Sequence, residues 1–148
     1  MRLSAFCDYT LRVLMYLGVR KDRLVTIAEI AAAHDISKSH LMKVVHHLGL
    51  NGYIETVRGK GGGIRLARAP RQIVVGDVIR QSESDFAMAE CFAGHATCRI
   101  QGACCLPGIL DEALRAMFLV LDRYTLADLL RAPNGLVPGA VDFSGALG

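Results

Sequence analysis

The chain has 148 residues, of which 52% are hydrophobic and 21% charged, with five cysteines and a formal net charge of +3. This composition excludes an intrinsically disordered protein and a miniprotein held by disulfides, and the length indicates one domain of ordinary size. The longest unbroken apolar run spans residues 116–121, far short of the roughly twenty residues that a membrane-spanning helix requires. We therefore expect a cytoplasmic protein with no membrane partner.

Charge is divided unevenly between the two halves of the chain. Residues 1–80 hold thirteen Lys or Arg and six Asp or Glu, a net +7, whereas residues 81–148 hold four and eight, a net −4. Clustered positive charge is the electrostatic footprint of a nucleic-acid partner, although a solvated basic face gives the same totals. The first half is thus a candidate polyanion-binding unit.

The first predicted element is a helix over residues 4–19. Apolar residues lie on several of its faces, so it must be buried on more than one side. Asp8 and Arg12 are four residues apart, which makes them neighbours on one strip of the helix, where they can form an ion pair.

Two short helices joined by a tight turn follow. Thr26 and Glu29 have the spacing of a capping box, which predicts a helix from Ile27 to Ala33. Ser37 is suited to cap the next helix, whose inner face carries apolar residues at helical spacing. These inner residues are Leu41, Val44, Val45 and Leu48. The pattern is typical of a helix-turn-helix.

The outer face of the second helix has the composition of a recognition helix, because most of its side chains can donate to phosphates or base edges. Its members are Lys38, Ser39, His40, Met42, Lys43, His46 and His47. We predict that Lys38, Ser39, His40 and Lys43 enter the major groove of double-stranded promoter DNA, with Thr26 and Ser37 as further contacts.

A β-hairpin with a glycine-rich tip is predicted next, with strands over residues 53–57 and 64–67. Glycines allow the tip to turn with positive φ, and the cations bring charge to it. This outlines a winged helix-turn-helix, and the predicted contacts in the minor groove or on its phosphates are Arg58, Gly59, Lys60 and Gly61. A nucleotide-binding loop is the alternative, but the patterns G-x-x-x-x-G-K-S/T and G-x-G-x-x-G are absent from the sequence.

The second half predicts a short helix over residues 75–81 and a long one from Pro107 to Tyr124. The long helix carries two apolar stripes. One comprises Leu110, Leu114, Met117, Leu121 and Tyr124; the other comprises Ile109, Ala113, Ala116 and Val120. One stripe packs on the chain's own domain and the other predicts a homodimer, with a helix fully buried in one subunit as the alternative. Thr125 and Asp128 cap a last short helix.

Four of the five cysteines lie within fifteen residues, at Cys91, Cys98, Cys104 and Cys105. In a reducing cytoplasm such clustering indicates metal or redox chemistry rather than structural disulfides. The close C-x2-4-C pairs of structural zinc sites and the C-x-x-C of thiol-disulfide enzymes are absent. Longer loops between single cysteines fit an iron-sulfur cluster. We therefore expect such a cluster in a protein that is not an enzyme, with a zinc-stabilised or thiol-switched repressor as the alternative.

Three groups of residues give the chain a resemblance that extends to about Pro133. They are Met1-Arg2-Leu3 with Phe6, Asp8-Tyr9 and Leu11-Arg12; the wing Val57-Arg58-Gly59-Lys60 with Gly62-Gly63-Ile64-Arg65-Leu66; and Tyr124-Thr125-Leu126-Ala127-Asp128-Leu129. On these residues the chain resembles dimeric winged-helix repressors that carry iron-sulfur clusters, and within them the nitric-oxide-sensing branch. A sibling branch that regulates cluster assembly has a histidine three residues after its third cysteine, where this chain has Pro107.

The resemblance implies that Cys91, Cys98 and Cys104 bind the cluster and that Asp8 from the partner subunit is the fourth ligand. The alternative ligands are Cys105, His95 and Cys7, and Arg12 is the expected coupling residue. The implied cluster is of the 4Fe-4S type, with 2Fe-2S as the alternative. Nitric oxide is the implied effector, which attacks the cluster, frees Asp8 and releases the DNA. A regulator of the same architecture that responds to iron, to cluster status or to redox state is the alternative function.

These patterns together predict a mainly α fold with a small β-hairpin. The winged helix-turn-helix DNA-binding domain is expected over residues 1–80 and the cluster-binding loop over 81–106. The dimerisation helix and the short C-terminal helix are expected over 107–132, and a flexible tail over 133–148.

Overall fold

The computed structural model describes residues 2–89, 91, 98–100 and 102–131. Its helices are α1 (Ala5–Val19), α2 (Ile27–His34), α3 (Lys38–Leu50), α4 (Val75–Ser82), α5 (Leu106–Leu121) and α6 (Leu126–Leu130). The strands β1 (Ile54–Val57) and β2 (Gly63–Leu66) pair as an antiparallel hairpin. A mainly α fold with one hairpin is thus confirmed, while the predicted tail lies outside the described residues.

Helix α1 is the centre of the core. Ser4 caps its N-terminus, because the Ser4 hydroxyl accepts a hydrogen bond from the backbone N–H of Cys7 at 3.2 Å. Val13 and Leu14 are completely buried, and the helix packs against α3, α4, α6 and β2. Gly18 allows the close approach of α6, because a Cβ there would lie 2.6 Å from a methyl carbon of Leu130. The prediction of a helix buried on several faces is confirmed.

The helix-turn-helix forms as the capping residues predict. The Thr26 hydroxyl accepts from the N–H of Glu29 at 3.2 Å, and the Ser37 hydroxyl accepts from the N–H of His40 at 3.3 Å. The four inner apolar residues of α3 are buried. The capping box is only half formed, because the Glu29 carboxylate accepts instead from the Tyr16 hydroxyl at 2.8 Å and from Arg23. This network ties α2 to α1.

The hairpin is bonded to the segment before α2 through β2, and glycines turn the chain at its tip. Val25 forms an isolated antiparallel β-bridge with Ile64 of β2. Gly59 and Gly61 have φ angles of 97° and 77°, which only glycine adopts without strain. A Cβ on Gly62 would lie 2.2 Å from the carbonyl oxygen of Val57, so this position also requires glycine.

The predicted end of the long helix is wrong by three residues. Helix α5 runs from Leu106 to Leu121, and the chain turns at Asp122 and Arg123. The N–H of Tyr124 donates to the carbonyl of Leu121, three residues back, at 3.2 Å, so a tighter turn ends the α-helix, and the carbonyl of Tyr124 then accepts from the N–H of Val75 at 2.9 Å. Thr125 then caps α6 in the predicted capping box with Asp128.

The two stripes of α5 differ in their surroundings. In the first, Leu121 packs with Phe118, a residue outside both predicted stripes, against a small cluster around Cys7, Val75 and Ile79. The second stripe is exposed, with Ile109 at 56% and Val120 at 49%. None of the helices in the described part of the chain is both long and apolar enough to cross a membrane.

Candidate functional site

The predicted recognition face lies on the exposed side of α3. The side chains of Lys38, Ser39, His40 and Lys43 are exposed. Ser37 is exposed as well, although its hydroxyl caps α3 and lies 3.2 Å from that of Ser39. A short polar and cationic surface at the start of a second helix suits insertion into the major groove.

The predicted wing contacts form a second exposed cationic surface. Arg58, Gly59, Lys60 and Gly61 are exposed at the turn between β1 and β2. Behind the tip, Arg65 and Glu55 face each other across the two strands and form an ion pair. With Arg65 paired to Glu55, Arg58 and Lys60 are the cations that the wing presents at its tip.

Helix α1 packs directly on the recognition helix through aromatic rings. Phe6 meets His47 edge to face with 5.2 Å between centroids, and the Tyr9 and His40 rings lie 6.3 Å apart. The sequence places His47 on the outer face of α3, which is wrong: its imidazole is half-buried against α1, and burial lowers its pKa. The sequence does contain one indication that His47 is partly buried: it lies next to Leu48, at the edge of the apolar stripe of α3.

Asp8 and Arg12 form the predicted ion pair, with 2.8 Å between Arg12 Nε and Asp8 Oδ2. The Asp8 side chain is 44% exposed and that of Arg12 is 18% exposed. Asp8 lines a surface cavity of about 670 Å³ together with Ser4 and Glu83. The Glu83 carboxylate accepts from the N–H of Ser4 at 2.6 Å, which ties the segment leading to the cysteines to the start of α1.

The cysteine segment offers the donors that an iron-sulfur cluster uses. All five cysteines are free thiols; Cys98 and Cys105 are exposed, and Cys91 and Cys104 are half-buried. Thiolates are the usual ligands of such clusters, so the chemistry of this donor set fits one. Among the described residues, no three His, Cys, Asp or Glu side chains lie together as a metal site. His95 lies outside the described residues.

Cys7 differs from the other four cysteines. It is completely buried beside Val75 and Ile79. Burial, followed by the neighbouring Glu83, raises the pKa of the Cys7 thiol to about 12. Because a metal ligand must be a thiolate, this surrounding disfavours Cys7 as an alternative ligand and favours a structural role in packing α1 on α4.

Comparison with known proteins gives the same architecture. Residues 3–132 match the Rrf2 family, described as "Iron-dependent Transcriptional regulator". The chain is 49% identical over 133 residues to the HTH-type transcriptional regulator NsrR of Bacillus subtilis, covering 88% of this chain and 91% of that protein.

Two solved structures are similar in fold at 26% identity. A putative transcriptional regulator from Listeria innocua has a TM-score of 0.75 and covers 94% of each chain. The T. potens IscR structure has a TM-score of 0.71 and covers 88% of this chain and 87% of that one. The family match and the NsrR similarity together show that this chain belongs to the Rrf2 family of winged-helix transcriptional regulators.

Proposed function

We propose that this chain is a dimeric repressor that senses nitric oxide through an iron-sulfur cluster and releases promoter DNA when nitric oxide reacts with the cluster. Cys91, Cys98 and Cys104 of one subunit would hold the cluster together with Asp8 of the partner subunit. The similarity to NsrR and the free thiols of the cysteine segment, which are exposed or half-buried, support this proposal.

One observation carries the link between the two activities. The helix that holds Asp8 also holds Phe6 and Tyr9, whose rings contact His47 and His40 of the recognition helix. A displacement of α1 at Asp8 would therefore be transmitted to α3 through these direct side-chain contacts. Packed interiors transmit such displacements because they have few voids to absorb them.

The cluster would supply iron atoms that nitric oxide attacks, with Asp8 as a more readily displaced ligand than a thiolate. The remaining steps belong to the protein. Arg12 lies within 2.8 Å of Asp8, so it is placed to receive the carboxylate when it is free. The Ser4 cap and the hydrogen bond from Thr10 to the carbonyl of Phe6 keep the first turns of α1 rigid. The helix then shifts as a unit and carries α3 with it.

The energy required sets a scale for this switch. Moving the DNA-competent population from 1:99 to 99:1 requires about 5.5 kcal/mol of preference for that state. In a symmetric dimer the two sites would share this cost equally. Half-sites read by a dimer lie about 34–36 Å apart, so a modest shift of both DNA-binding units is enough to reduce affinity.

The family description favours a second candidate function. Its words "Iron-dependent" fit a regulator with the same ligands that responds to iron supply or to the presence of the cluster. The two candidates differ only in the effector, since loss of the cluster by either route would free Asp8.

A comparison of Asp8→Ala with Asp22→Ala tests the role of Asp8. Asp22 is an exposed carboxylate in the turn after α1 and serves as the matched control. In anaerobically purified protein we expect Asp8→Ala to retain part of its iron and sulfide but to bind promoter DNA about tenfold or more weakly, and Asp22→Ala to match the wild type. Unchanged DNA affinity and an unchanged nitric oxide response in Asp8→Ala would remove Asp8 from the mechanism.

A further inference from the structure

We propose that Arg80 is a positioning residue that fixes the angle between α5 and the DNA-binding unit and thereby sets the distance between the two half-sites that the protein reads. The proposal rests on the dimeric DNA binding proposed above. The contact concerned lies between α4 and the end of α5. It includes none of the proposed cluster ligands and none of the proposed DNA contacts.

The guanidinium of Arg80 forms a bidentate ion pair with Asp122, the residue that directly follows α5. Nη1 donates to Oδ1 at 2.8 Å and Nη2 donates to Oδ2 at 2.6 Å. Nη1 also donates to Asp77 of its own helix at 3.1 Å. A planar bidentate pair fixes direction as well as distance, which a single contact between flexible side chains does not.

Two further contacts surround this ion pair. The Arg80 guanidinium lies over the ring of Phe118, 4.3 Å from its centroid, and Phe118 in turn meets Phe86 edge to face at 5.0 Å. A Cβ on Gly76 would lie 1.9 Å from Asp122 Oδ1. Only glycine at this position allows α4 to approach the carboxylate so closely.

The geometry of α5 amplifies any change at this joint. Its sixteen residues make a rod about 24 Å long, held by α4 at its C-terminal end. Leu106 and Ile109 at the other end are 46% and 56% exposed. A tilt of about 10° at the joint would displace the far end by about 4 Å. This exceeds the rise of about 3.4 Å for one base pair.

Spacing selectivity is the readout that separates positioning from mere stability. A duplex site is first selected from a random DNA library by the wild-type protein, and versions with one base pair added or removed between the half-sites are made. Each change rotates the half-sites by about 35°. We expect the wild type to bind the altered sites at least about tenfold more weakly, and Arg80→Met to discriminate by less than about threefold. Binding to a single half-site should be the same for both proteins.

Matched variants complete the test. Arg80→Lys keeps the charge but loses the bidentate fork, so it should not restore discrimination. Asp122→Asn keeps the volume of Asp122 and should behave like Arg80→Met. This variant removes the same ion pair from the other side and can be used if Arg80→Met folds poorly. Arg131→Ala removes an exposed arginine of the α6 end and should leave discrimination unchanged.

Wild-type discrimination in both Arg80→Met and Asp122→Asn would overturn the role of Arg80. A wild type indifferent to spacing would overturn the dimer proposal itself.

Discussion

Phe6 and His47 meet edge to face across the interface of α1 and α3, with 5.2 Å between their centroids and 74° between their planes. Phe6 lies two residues before Asp8, and His47 lies on the helix that carries Lys43 and His40. The contact therefore joins the candidate cluster ligand to the candidate DNA-reading surface within one rigid pair of helices.

Removal of this ring contact should reduce the effect of the cluster on the affinity for DNA. Edge-to-face pairs contribute about 0.5–1.5 kcal/mol beyond their buried area. We expect Phe6→Leu to lower the affinity ratio between cluster-loaded and cluster-free protein by about threefold or more, as measured by fluorescence anisotropy on promoter DNA. His47→Phe retains both rings and is the control, which should keep the wild-type ratio. An unaltered ratio in Phe6→Leu would show that the signal takes another route.

The wing should contribute electrostatic affinity without sequence preference. Lys60→Ala should weaken binding to all sequences alike and reduce the slope of log affinity against log salt by about 0.9 for the one phosphate contact that is lost. Titration at four salt concentrations measures this slope, with Arg131→Ala as the control. A selective loss at one operator position would instead assign Lys60 to base reading.

The exposed stripe of α5 should be the dimer surface. Ile109 is 56% exposed in the single subunit, and a carboxylate buried at that position in a dimer would be strongly unfavourable. Ile109→Glu should therefore sediment as a monomer at concentrations at which the wild type is a dimer. Leu50→Glu alters an even more exposed residue, at 76%, on α3 and should remain dimeric. A dimeric Ile109→Glu protein would place the interface elsewhere.

The contact between α1 and α2 should make a contribution to the free energy of unfolding that is lost in acid. Hydrogen bonds from Arg23, and then from Tyr16, hold the pKa of Glu29 at about 2 instead of 4.5. Because the folded pKa is the lower one, this contribution is complete above about pH 4.5 and is lost as the pH falls towards 2.

Glu29→Gln isolates this contribution. The variant should be less stable than the wild type in urea unfolding at pH 7, and the difference should shrink as the pH falls through that window. Glu112→Gln, which alters an exposed residue of α5, should follow the wild-type curve. A difference that is constant between pH 7 and pH 2.5 would contradict the assignment.

Local signals predicted the DNA-binding unit well. Ser37 and Thr26 cap the helices that they were expected to cap, because capping depends on residues only three positions away. The glycines of the wing lie where positive φ or close contact requires them. The burial of Leu41 and its neighbours follows from helical periodicity alone.

Contacts between residues far apart in the sequence were not predictable from local patterns. Arg80 and Asp122 are 42 positions apart, and no local pattern indicates that they meet. The predicted end of α5 was wrong because the chain turns after Leu121 and pairs Thr125 with Val74, a contact between distant positions. Periodicity placed His47 on the surface, whereas the ring of Phe6 on another helix covers it. The sequence permits Cys7 as an alternative cluster ligand, but its burial against α4 is a long-range contact that the sequence does not indicate.

Nitric oxide sensing is best measured as the affinity of anaerobically purified, cluster-containing protein for its own promoter DNA during stepwise addition of nitric oxide. We expect DNA binding to be lost in step with the bleaching of the cluster absorbance. DNA that stays bound while the colour disappears would contradict nitric oxide sensing and would favour the iron-dependent or redox-dependent alternatives.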